Sequence, residues 1–382
     1  MSLFDDSAAA AREGEADAAL LAALRLCMVA GVGPLLRRKL LERFGTAEGV
    51  WAAAPSDLRS VPGIGPKIAQ AILRAEKEID VAAELALCRE HGIAVVAESD
   101  ARYPRSLREI HDPPGVLFLH GELLPRDNVA VAIVGSRHAT QYGLAQAERL
   151  AGSLARAGVT VVSGLARGVD AAAHRGALAA DGRTVAVLGS GVLNIYPPEH
   201  KTLAEEVRRQ GAVLSEAAPR AAPIAGVFPQ RNRIISGMCC GVIVVEAGEH
   251  SGALITARHA MEQGRDVFAV PGRVDNRMAR GPHRLIRDGA KLIETAEDVL
   301  EELGPLPAAA TGPAGQVLHR PAELLLNEPE KLVLAAVTSD GLLIDQVIGA
   351  CGLPAPQVLA TLSVLEMRRL IRRLGGSRVM RL

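Results

Sequence analysis

Two short loops carry residue types that could bind a phosphate group. Both contain glycine, serine and arginine: the loops are Gly135-Ser136-Arg137 and Ser163-Gly164-Leu165-Ala166-Arg167-Gly168-Val169-Asp170. Glycine lets backbone N–H groups approach an anion closely, and a guanidinium can contact a phosphate through two parallel hydrogen bonds. With one arginine in each loop, the pair predicts an anion site that takes a phosphate chain.

Each loop follows an apolar run that predicts a buried strand, at 129–134 and at 159–162, and each precedes a predicted helix. Strands and helices alternate in this way from residue 79 to residue 303, and several strands are continuous β-branched runs, as in a parallel sheet buried on both faces. The pattern predicts strands at 94–97, 116–119, 129–134, 159–162, 184–188, 212–214, 242–246, 267–270 and 291–293, and helices at 142–157, 198–210, 230–238 and 251–263. We therefore expect an α/β domain with a doubly wound, extended Rossmann-like, mostly parallel sheet. Both loops should lie at its carboxyl edge, where ligands bind.

A helical module precedes this α/β domain. Residues 18–78 have a helical pattern, and the phrases Gly31-Val32-Gly33-Pro34 and Gly63-Ile64-Gly65-Pro66 each open a further helix. The repeat predicts a helix-hairpin-helix, SAM-like domain. Such a domain either binds phosphates at its helix starts or is a plain helical hairpin without a ligand. Residues 1–17 are expected to be a disordered leader.

Residues 304–322 are expected to be a Pro/Gly/Ala linker, and residues 323–382 predict a winged helix. Its helices are predicted at 328–337, 343–350 and 355–370, followed by a hairpin that turns at Gly375-Gly376. A helix that reads a DNA groove usually has cationic or amide side chains at its N-terminal end. The third helix has no lysine or arginine before Arg368, and its polar residues are Gln357, Thr361, Ser363 and Glu366. The arginines lie instead at the helix end and hairpin: Arg368, Arg369, Arg372, Arg373, Arg378 and Arg381. The sequence leaves this module open between nonspecific backbone contact, protein binding and a structural appendage.

The composition narrows the classes of ligand. The 43 basic and 43 acidic residues of this 382-residue chain cancel, so a polyanion would have to bind a local patch. One Trp, three Tyr and five Phe argue against a broad surface on which many bases stack. The five cysteines show no C-x-x-C pair and no metal spacing with histidine, so we expect reduced thiols, no metal and a cytoplasmic protein. No apolar run approaches the ~18 residues of a membrane span, and the N-terminus lacks the basic start of a signal peptide.

The sequence does not indicate a catalytic centre. Asp170 and His174 lie four residues apart on one predicted helix, and no Gly-x-Ser-x-Gly elbow is present, so Ser163 does not predict a hydrolase triad with them. Glu216 and Glu246 end predicted strands, where we expect them to orient arginines or to cap the following helices. The first loop is not Gly-x-Gly-x-x-Gly and a Walker lysine motif is missing, so no cofactor is predicted.

Further phrases follow the two loops at predicted strand ends. They are Gly189-Ser190-Gly191, Ser215-Glu216, Phe228-Pro229-Gln230-Arg231-Asn232-Arg233-Ile234-Ile235-Ser236-Gly237, Glu246-Ala247, Ser251-Gly252-Ala253-Leu254-Ile255-Thr256 and Val270-Pro271-Gly272. In this order the set closely resembles the DprA/Smf (DNA-processing protein A) family across the whole α/β domain. The stretch from Asp112-Pro113-Pro114 to Gly121 also fits the family's entry into that domain, and the flanking modules are extras that many members carry.

The resemblance implies a protein that binds single-stranded DNA in natural transformation, protects incoming strands and loads the RecA recombinase onto them. It also implies a homodimer formed through the α/β domain and no established enzymatic activity. Arg137 and Arg167 carry over as DNA contacts. Arg231 and Arg233 flank Asn232, and this arrangement either holds a phosphate or a flipped base edge or closes a structural hydrogen-bond network. The predicted DNA-binding residues are Gly135, Ser136, Arg137, Ser163, Gly164, Arg167, Gly168, Arg231, Asn232 and Arg233.

Two alternative functions stay open at this point. Nucleotide-hydrolase relatives of the fold place an arginine and a glutamate around a ribosyl phosphate, which would make the chain a nucleoside-phosphate ribohydrolase that uses Glu246 and Arg231. The second alternative is a regulatory adaptor that acts through the winged helix and has a vestigial central site. The sequence does not indicate the geometry of a dimer or whether the source organism takes up DNA.

Overall fold

The computed structural model describes residues 18–224, 226–304, 328–337, 342–367, 370–374 and 378–381. These residues form two compact units, and each unit is built from several separate stretches of the chain. Unit 1 contains the described residues up to Leu123, together with Gly164–Ala166 and Val185–Met238. Unit 2 contains Leu124–Ser163, Arg167–Thr184 and the described residues from Cys239 onward.

The N-terminal part of unit 1 is a bundle of short helices. They are α1 (Ala18–Met28), α2 (Pro34–Phe44), α3 (Ala47–Trp51), α4 (Pro55–Ser60), α5 (Pro66–Glu78) and α6 (Val81–Glu90). Proline occupies the first position of α2 and of α5, where its missing N–H breaks no helical hydrogen bond. Leu26, Leu40 and Ile72 are almost fully buried in the shared core of this bundle. The predicted pair of helices that each follow a Gly-x-Gly-Pro phrase is confirmed.

Strands and helices alternate from residue 93 onward, as the apolar runs predict. The strands are β1 (Ile93–Ala97), β2 (Val116–Gly121), β3 (Ala130–Val134), β4 (Thr160–Ser163), β5 (Thr184–Leu188), β6 (Ala212–Ser215), β7 (Gly241–Val244), β8 (Asp266–Ala269) and β9 (Lys291–Leu292). The helices are α7 (Arg105–Arg108), α8 (Gln141–Arg156), α9 (Val169–Ala179), α10 (Lys201–Gln210), α11 (Val227–Gly237), α12 (Gly252–Glu262), α13 (Arg280–Arg287) and α14 (Ala296–Leu303). Each observed strand begins and ends within two residues of its prediction.

Two of the predicted helices start differently in the structure. The prediction at 198–210 begins with a separate 3-10 turn, Pro198–His200, before α10. Helix α11 starts at Val227, three residues before the predicted start, because a proline at 229 lies in the first turn, where its N–H is not needed. Arg231, Asn232 and Arg233 therefore lie in the middle of α11 rather than at its beginning.

The sheet strands of unit 1 follow the order β1-β2-β6-β5. The β1–β2 and β2–β6 pairs are antiparallel, whereas β5 and β6 are parallel. In unit 2 the order is β4-β3-β7-β8-β9, and the described pairs there are parallel. Ile133, Val161 and Ile243 on three of these strands are fully buried, which explains their continuous apolar runs. The predicted mostly parallel α/β architecture is confirmed.

The C-terminal residues of unit 2 form a winged helix, as predicted. Its elements are α15 (Glu328–Ala336), β10 (Leu342–Leu343), α16 (Ile344–Cys351), α17 (Ala355–Met367), β11 (Ile371–Leu374) and β12 (Arg378–Arg381). The strands follow the order β10-β12-β11 and pair antiparallel around a core that includes Val347 and Leu362. The two-residue strand β10 is too short to show a periodicity and is not predicted.

Several predictions concern residues outside the described part of the chain: the leader at 1–17, the linker from 305 to 322, Arg368 and Arg369, and the Gly375-Gly376 turn. Among the described helices, no single one is long and apolar enough to cross a membrane. One bent pair, Ile344–Cys351 with Ala355–Glu366, would pass on length and composition alone, and its two halves meet at 114°.

Candidate functional site

The first predicted loop lies at the switch point of the unit 2 sheet. Strand β3 has β4 on one side and β7 on the other, and in such sheets ligands bind beside the strand at which the order reverses. Gly135, Ser136 and Arg137 follow β3 directly. The N–H of Ser136 donates to the carbonyl of Glu246 at 2.6 Å, and Arg137 is exposed. The loop is therefore fixed through its backbone while its guanidinium faces outward.

The second loop meets the first one within unit 2. The carbonyl of Ser136 accepts a hydrogen bond from the N–H of Val169, the first residue of α9, at 3.2 Å. Gly168 packs so closely against Ser136 and Arg137 that a Cβ there would overlap backbone atoms of both. Arg167 is exposed, like Arg137. The structure therefore brings both exposed arginines to one pair of contacting loops, as the sequence predicts.

The start of the second loop is used inside the protein. Ser163 is fully buried, and its hydroxyl donates to the carbonyl of Ile133 at 2.7 Å, which joins β4 to β3. The next residue, Gly164, belongs to unit 1, where its carbonyl accepts a hydrogen bond from Nη1 of Arg231 at 2.7 Å. Ser163 thus holds the backbone of β3 within unit 2, and Gly164 holds the side chain of Arg231 within unit 1.

The arginines of α11 are buried in unit 1 rather than exposed. Arg231 is 7% exposed and also donates to the carbonyl of Val187. Arg233 is 4% exposed and forms ion pairs with Asp112 at 3.1 Å and with Glu216 at 2.6 Å. Buried guanidinium groups need such acceptors, because an unpaired charge in the interior is costly.

This geometry favours the structural hydrogen-bond network that the sequence left open for these two residues. Asn232 between them is half-buried, and its carbonyl accepts from the hydroxyl of Ser236 at 3.3 Å. A role of Arg231, Asn232 and Arg233 in DNA contact stays a prediction. Glu216 orients an arginine, as expected for a carboxylate at a strand end.

Glu246 anchors the helix that follows the first loop. Its side chain is 2% exposed, and its two oxygens accept from the N–H of Thr140 at 2.8 Å, the hydroxyl of Thr140 at 2.7 Å and the amide of Asn276 at 3.1 Å. Thr140 is the N-cap of α8 and accepts from the N–H of Gly143 at 3.2 Å. Sequence reasoning expected helix capping at Glu246 but could not name Thr140 or Asn276, because 106 and 30 residues separate them from it.

Replacing Glu246 by glutamine is expected to lower the free energy of unfolding by about 2 kcal/mol, because the new NH₂ group cannot accept the hydrogen bonds of Thr140 or Asn276. Urea unfolding of the full chain measures this loss. Glu148→Gln, which changes an exposed carboxylate on the same helix α8, should stay within about 0.5 kcal/mol of the parent. Equal stability of the two variants would contradict the anchoring role.

The polar groups of the rejected hydrolase triad are engaged in separate contacts. Nδ1 of the fully buried His174 lies 2.7 Å from the hydroxyl oxygen of Thr184, which in turn donates to the carbonyl of Val161. The hydroxyl of Ser163 donates to Ile133, as described above. These contacts join α9 and the neighbouring backbone, which is a structural use of both side chains.

Family models match three parts of the chain. Residues 94–304 match DNA recombination-mediator protein A, residues 23–78 match a SAM-like helix-hairpin-helix tandem, and residues 318–377 match the DprA winged helix domain. The first of these covers more than half of the chain and includes both loops, α11 and Glu246.

Individual relatives agree with these matches. Protein Smf of Synechocystis is 35% identical over 383 residues, which cover 92% of this chain and 96% of that protein. The structure of DNA processing protein A from Streptococcus pneumoniae is 37% identical, covers 73% of this chain and 96% of its own, and superposes with a TM-score of 0.65. DNA processing protein A from Helicobacter pylori, solved to study its single-stranded DNA binding mode, is 29% identical over 55% of this chain and 95% of its own, with a TM-score of 0.50. The chain belongs to the DNA recombination-mediator protein A family, which is also called DprA or Smf.

Proposed function

We propose that this protein binds single-stranded DNA by its phosphates, at the two contacting loops of unit 2. The observation that carries the proposal is the exposure of Arg137 and Arg167 on loops that meet at the switch point of the sheet. The single-stranded DNA binding mode reported for the Helicobacter pylori relative supports the choice of ligand. The glycines at 135 and 168 allow the close packing that positions these two loops, because a Cβ at either position would overlap neighbouring atoms.

The same proposal includes the cellular role. We place the protein in the cytoplasm, as a homodimer that protects incoming DNA during natural transformation and passes it to the RecA recombinase. The family membership supports these steps, and the near-zero net charge fits a protein that holds DNA at one local patch. In this role the protein performs no bond chemistry, and Glu246 acts as the anchor of Thr140 rather than as a catalytic carboxylate.

Binding of the full chain to labelled 30-residue oligonucleotides tests the ligand class. We expect single strands to bind more tightly than the matching duplex and random single-stranded sequences to differ by less than about threefold. A bidentate contact to a base edge would give a larger difference, about fivefold or more. A strong preference for one sequence would contradict recognition through phosphates. If neither strand form binds, the adaptor alternative through the winged helix replaces the proposal.

The ribohydrolase alternative predicts a product that is easy to detect. Incubation of the full chain with nucleoside monophosphates should release no free base above the rate in buffer, as measured by liquid chromatography. Release of base that is lost in Glu246→Gln would overturn the assignment of this protein as a non-enzymatic DNA-binding protein. Arg231→Lys serves as the second probe, because the alternative assigns Arg231 to the ribosyl phosphate.

A further inference from the structure

An open cavity lies beside the phosphate loops in unit 2. Its volume is about 700 Å³, within the range of ~300–1,000 Å³ that is typical of ligand clefts. One wall is the start of α8, with Thr140 and Tyr142, and the other is the loop that follows β8, with Pro271, Arg273 and Asp275. The cavity includes Pro271 and Gly272 of the Val270-Pro271-Gly272 phrase, and neither Arg137 nor Arg167 lines it.

Tyr142 presents an aromatic ring to this cavity. The side chain is 46% exposed, although its hydroxyl is held by a hydrogen bond to the carbonyl of Pro271 at 2.8 Å on the opposite wall. Partial burial raises the pKa of Tyr142, so the hydroxyl stays protonated and keeps donating. The ring is thereby fixed in position while close to half of its surface stays accessible, in a chain that has only three tyrosines.

The opposite wall carries a charged edge. It is formed by the ion pair of Arg273 and Asp275, whose side chains lie 2.9 Å apart on the loop that follows β8. The hydrogen bond from Arg273 lowers the pKa of Asp275, so this pair stays charged at neutral pH. Gln141 adds an exposed amide that can either donate or accept.

One residue connects the cavity to the phosphate loops. The backbone carbonyl of Glu246 holds Ser136, and its carboxylate holds Thr140 and Asn276, one residue from each wall of the cavity. Tyr142 is five residues beyond Arg137 on the same stretch of chain. Arg137 and the first wall of the cavity therefore lie on one continuous stretch of chain that Glu246 anchors at Ser136 and at Thr140.

We propose that this cavity takes one unpaired nucleobase of the bound strand, stacked on the ring of Tyr142. The inference rests on the proposed function and names a second contact of the same ligand. A single ring fits a single base, and stacking tolerates all four bases because each has a π-face. A base in a duplex would first have to leave its stack, so the cavity also provides a physical reason to prefer single strands.

Abasic DNA separates this contact from the phosphate contacts. The full chain is titrated with a labelled single strand and with the same sugar-phosphate chain without bases. Tyr142→Ala should reduce the affinity for the base-bearing strand by about fivefold or more and leave the affinity for the abasic strand unchanged. Tyr142→Phe keeps the ring and should keep the difference between the two strands.

Two results of this titration would overturn the proposal that the cavity binds a base. One is an equal effect of Tyr142→Ala on both strands, and the other is no effect on either. Failure of the proposed function gives a different result, because the unmodified protein would then bind neither strand. Crosslinking of the unmodified protein to a strand that contains 5-iodouracil needs no variant: a crosslink in the peptide that contains Tyr142 supports the inference, and crosslinks only elsewhere overturn it.

Discussion

Replacing both Arg137 and Arg167 by alanine is expected to weaken the binding of single-stranded DNA about a hundredfold at low salt, without unfolding the protein. Each substitution removes a charge-assisted hydrogen bond, which contributes ~1.5 kcal/mol or more, and two of these correspond to about a hundredfold in affinity. Both side chains are exposed, and the loops are held through the backbone of Ser136, Gly168 and Val169, so the fold should persist.

The dependence on salt is the more specific readout of the same double variant. Binding of a single strand releases ~0.7 counterions for each phosphate that is neutralised. If each arginine neutralises one phosphate, the slope of log K against log salt should become shallower by about 1.4. Fluorescence anisotropy at a series of salt concentrations measures the affinity and the slope together.

Arg156→Ala is the matched control for this experiment. Arg156 is exposed at the last position of α8, roughly 20 Å along the helix from its start, and donates to the hydroxyl of Ser153 at 3.2 Å. Arg156→Ala also removes a positive charge, as the double variant does, but it should leave the slope of log K against log salt almost unchanged. If the double variant keeps the parent's affinity and slope, the two loops are not the phosphate site.

The sequence predicts the loops well because their signals are local. Strands β3 and β4 are continuous apolar runs, and the loop residues that follow them lie next to them in the chain. Because these strands are buried on both faces, nearly all of their residues are apolar, and the sequence alone predicts them without knowing which strands pair with them. The close packing of Gly168 on Ser136 and Arg137 is less predictable, because Gly33 and Gly65 also directly precede helices and have no atom within 4 Å of a Cβ position.

The roles of Arg231, Arg233 and Tyr142 depend on contacts that no local pattern encodes. Arg231 meets Gly164 across 67 positions of the sequence, and the hydroxyl of Tyr142 meets Pro271 across 129. An arginine in a sequence looks the same whether it will be exposed to a phosphate or buried beside two carboxylates. The long-range contacts of the fold therefore decide which cationic residues face a ligand, and they separate Arg137 and Arg167 from the α11 arginines.

Gly168→Ala is expected to lower the free energy of unfolding by about 3 kcal/mol or more and to abolish DNA binding. Gly168 has φ +75° and ψ −126°, a region that non-glycine residues occupy only at a cost of ~1–3 kcal/mol. The new methyl group would also overlap the carbonyl of Ser136 and the backbone of Arg137. Backbone atoms cannot rotate away as a flexible side chain could, so the two loops would have to separate.

Gly264→Ala separates the effect of loop contact from that of backbone strain. Gly264 has φ +68°, close to the value at Gly168, but no atom lies within 4 Å of the position that a Cβ would take. Gly264→Ala should lower the free energy of unfolding only by the backbone strain, about 1–2 kcal/mol, and should bind DNA as the parent does. Urea unfolding and anisotropy are measured on both variants. Equal losses of stability with intact binding in both would mean that the contact between the two loops is not what positions Arg137 and Arg167. If Gly168→Ala loses more unfolding free energy than Gly264→Ala and also loses DNA binding, the packing of one loop on the other is required for binding of the strand.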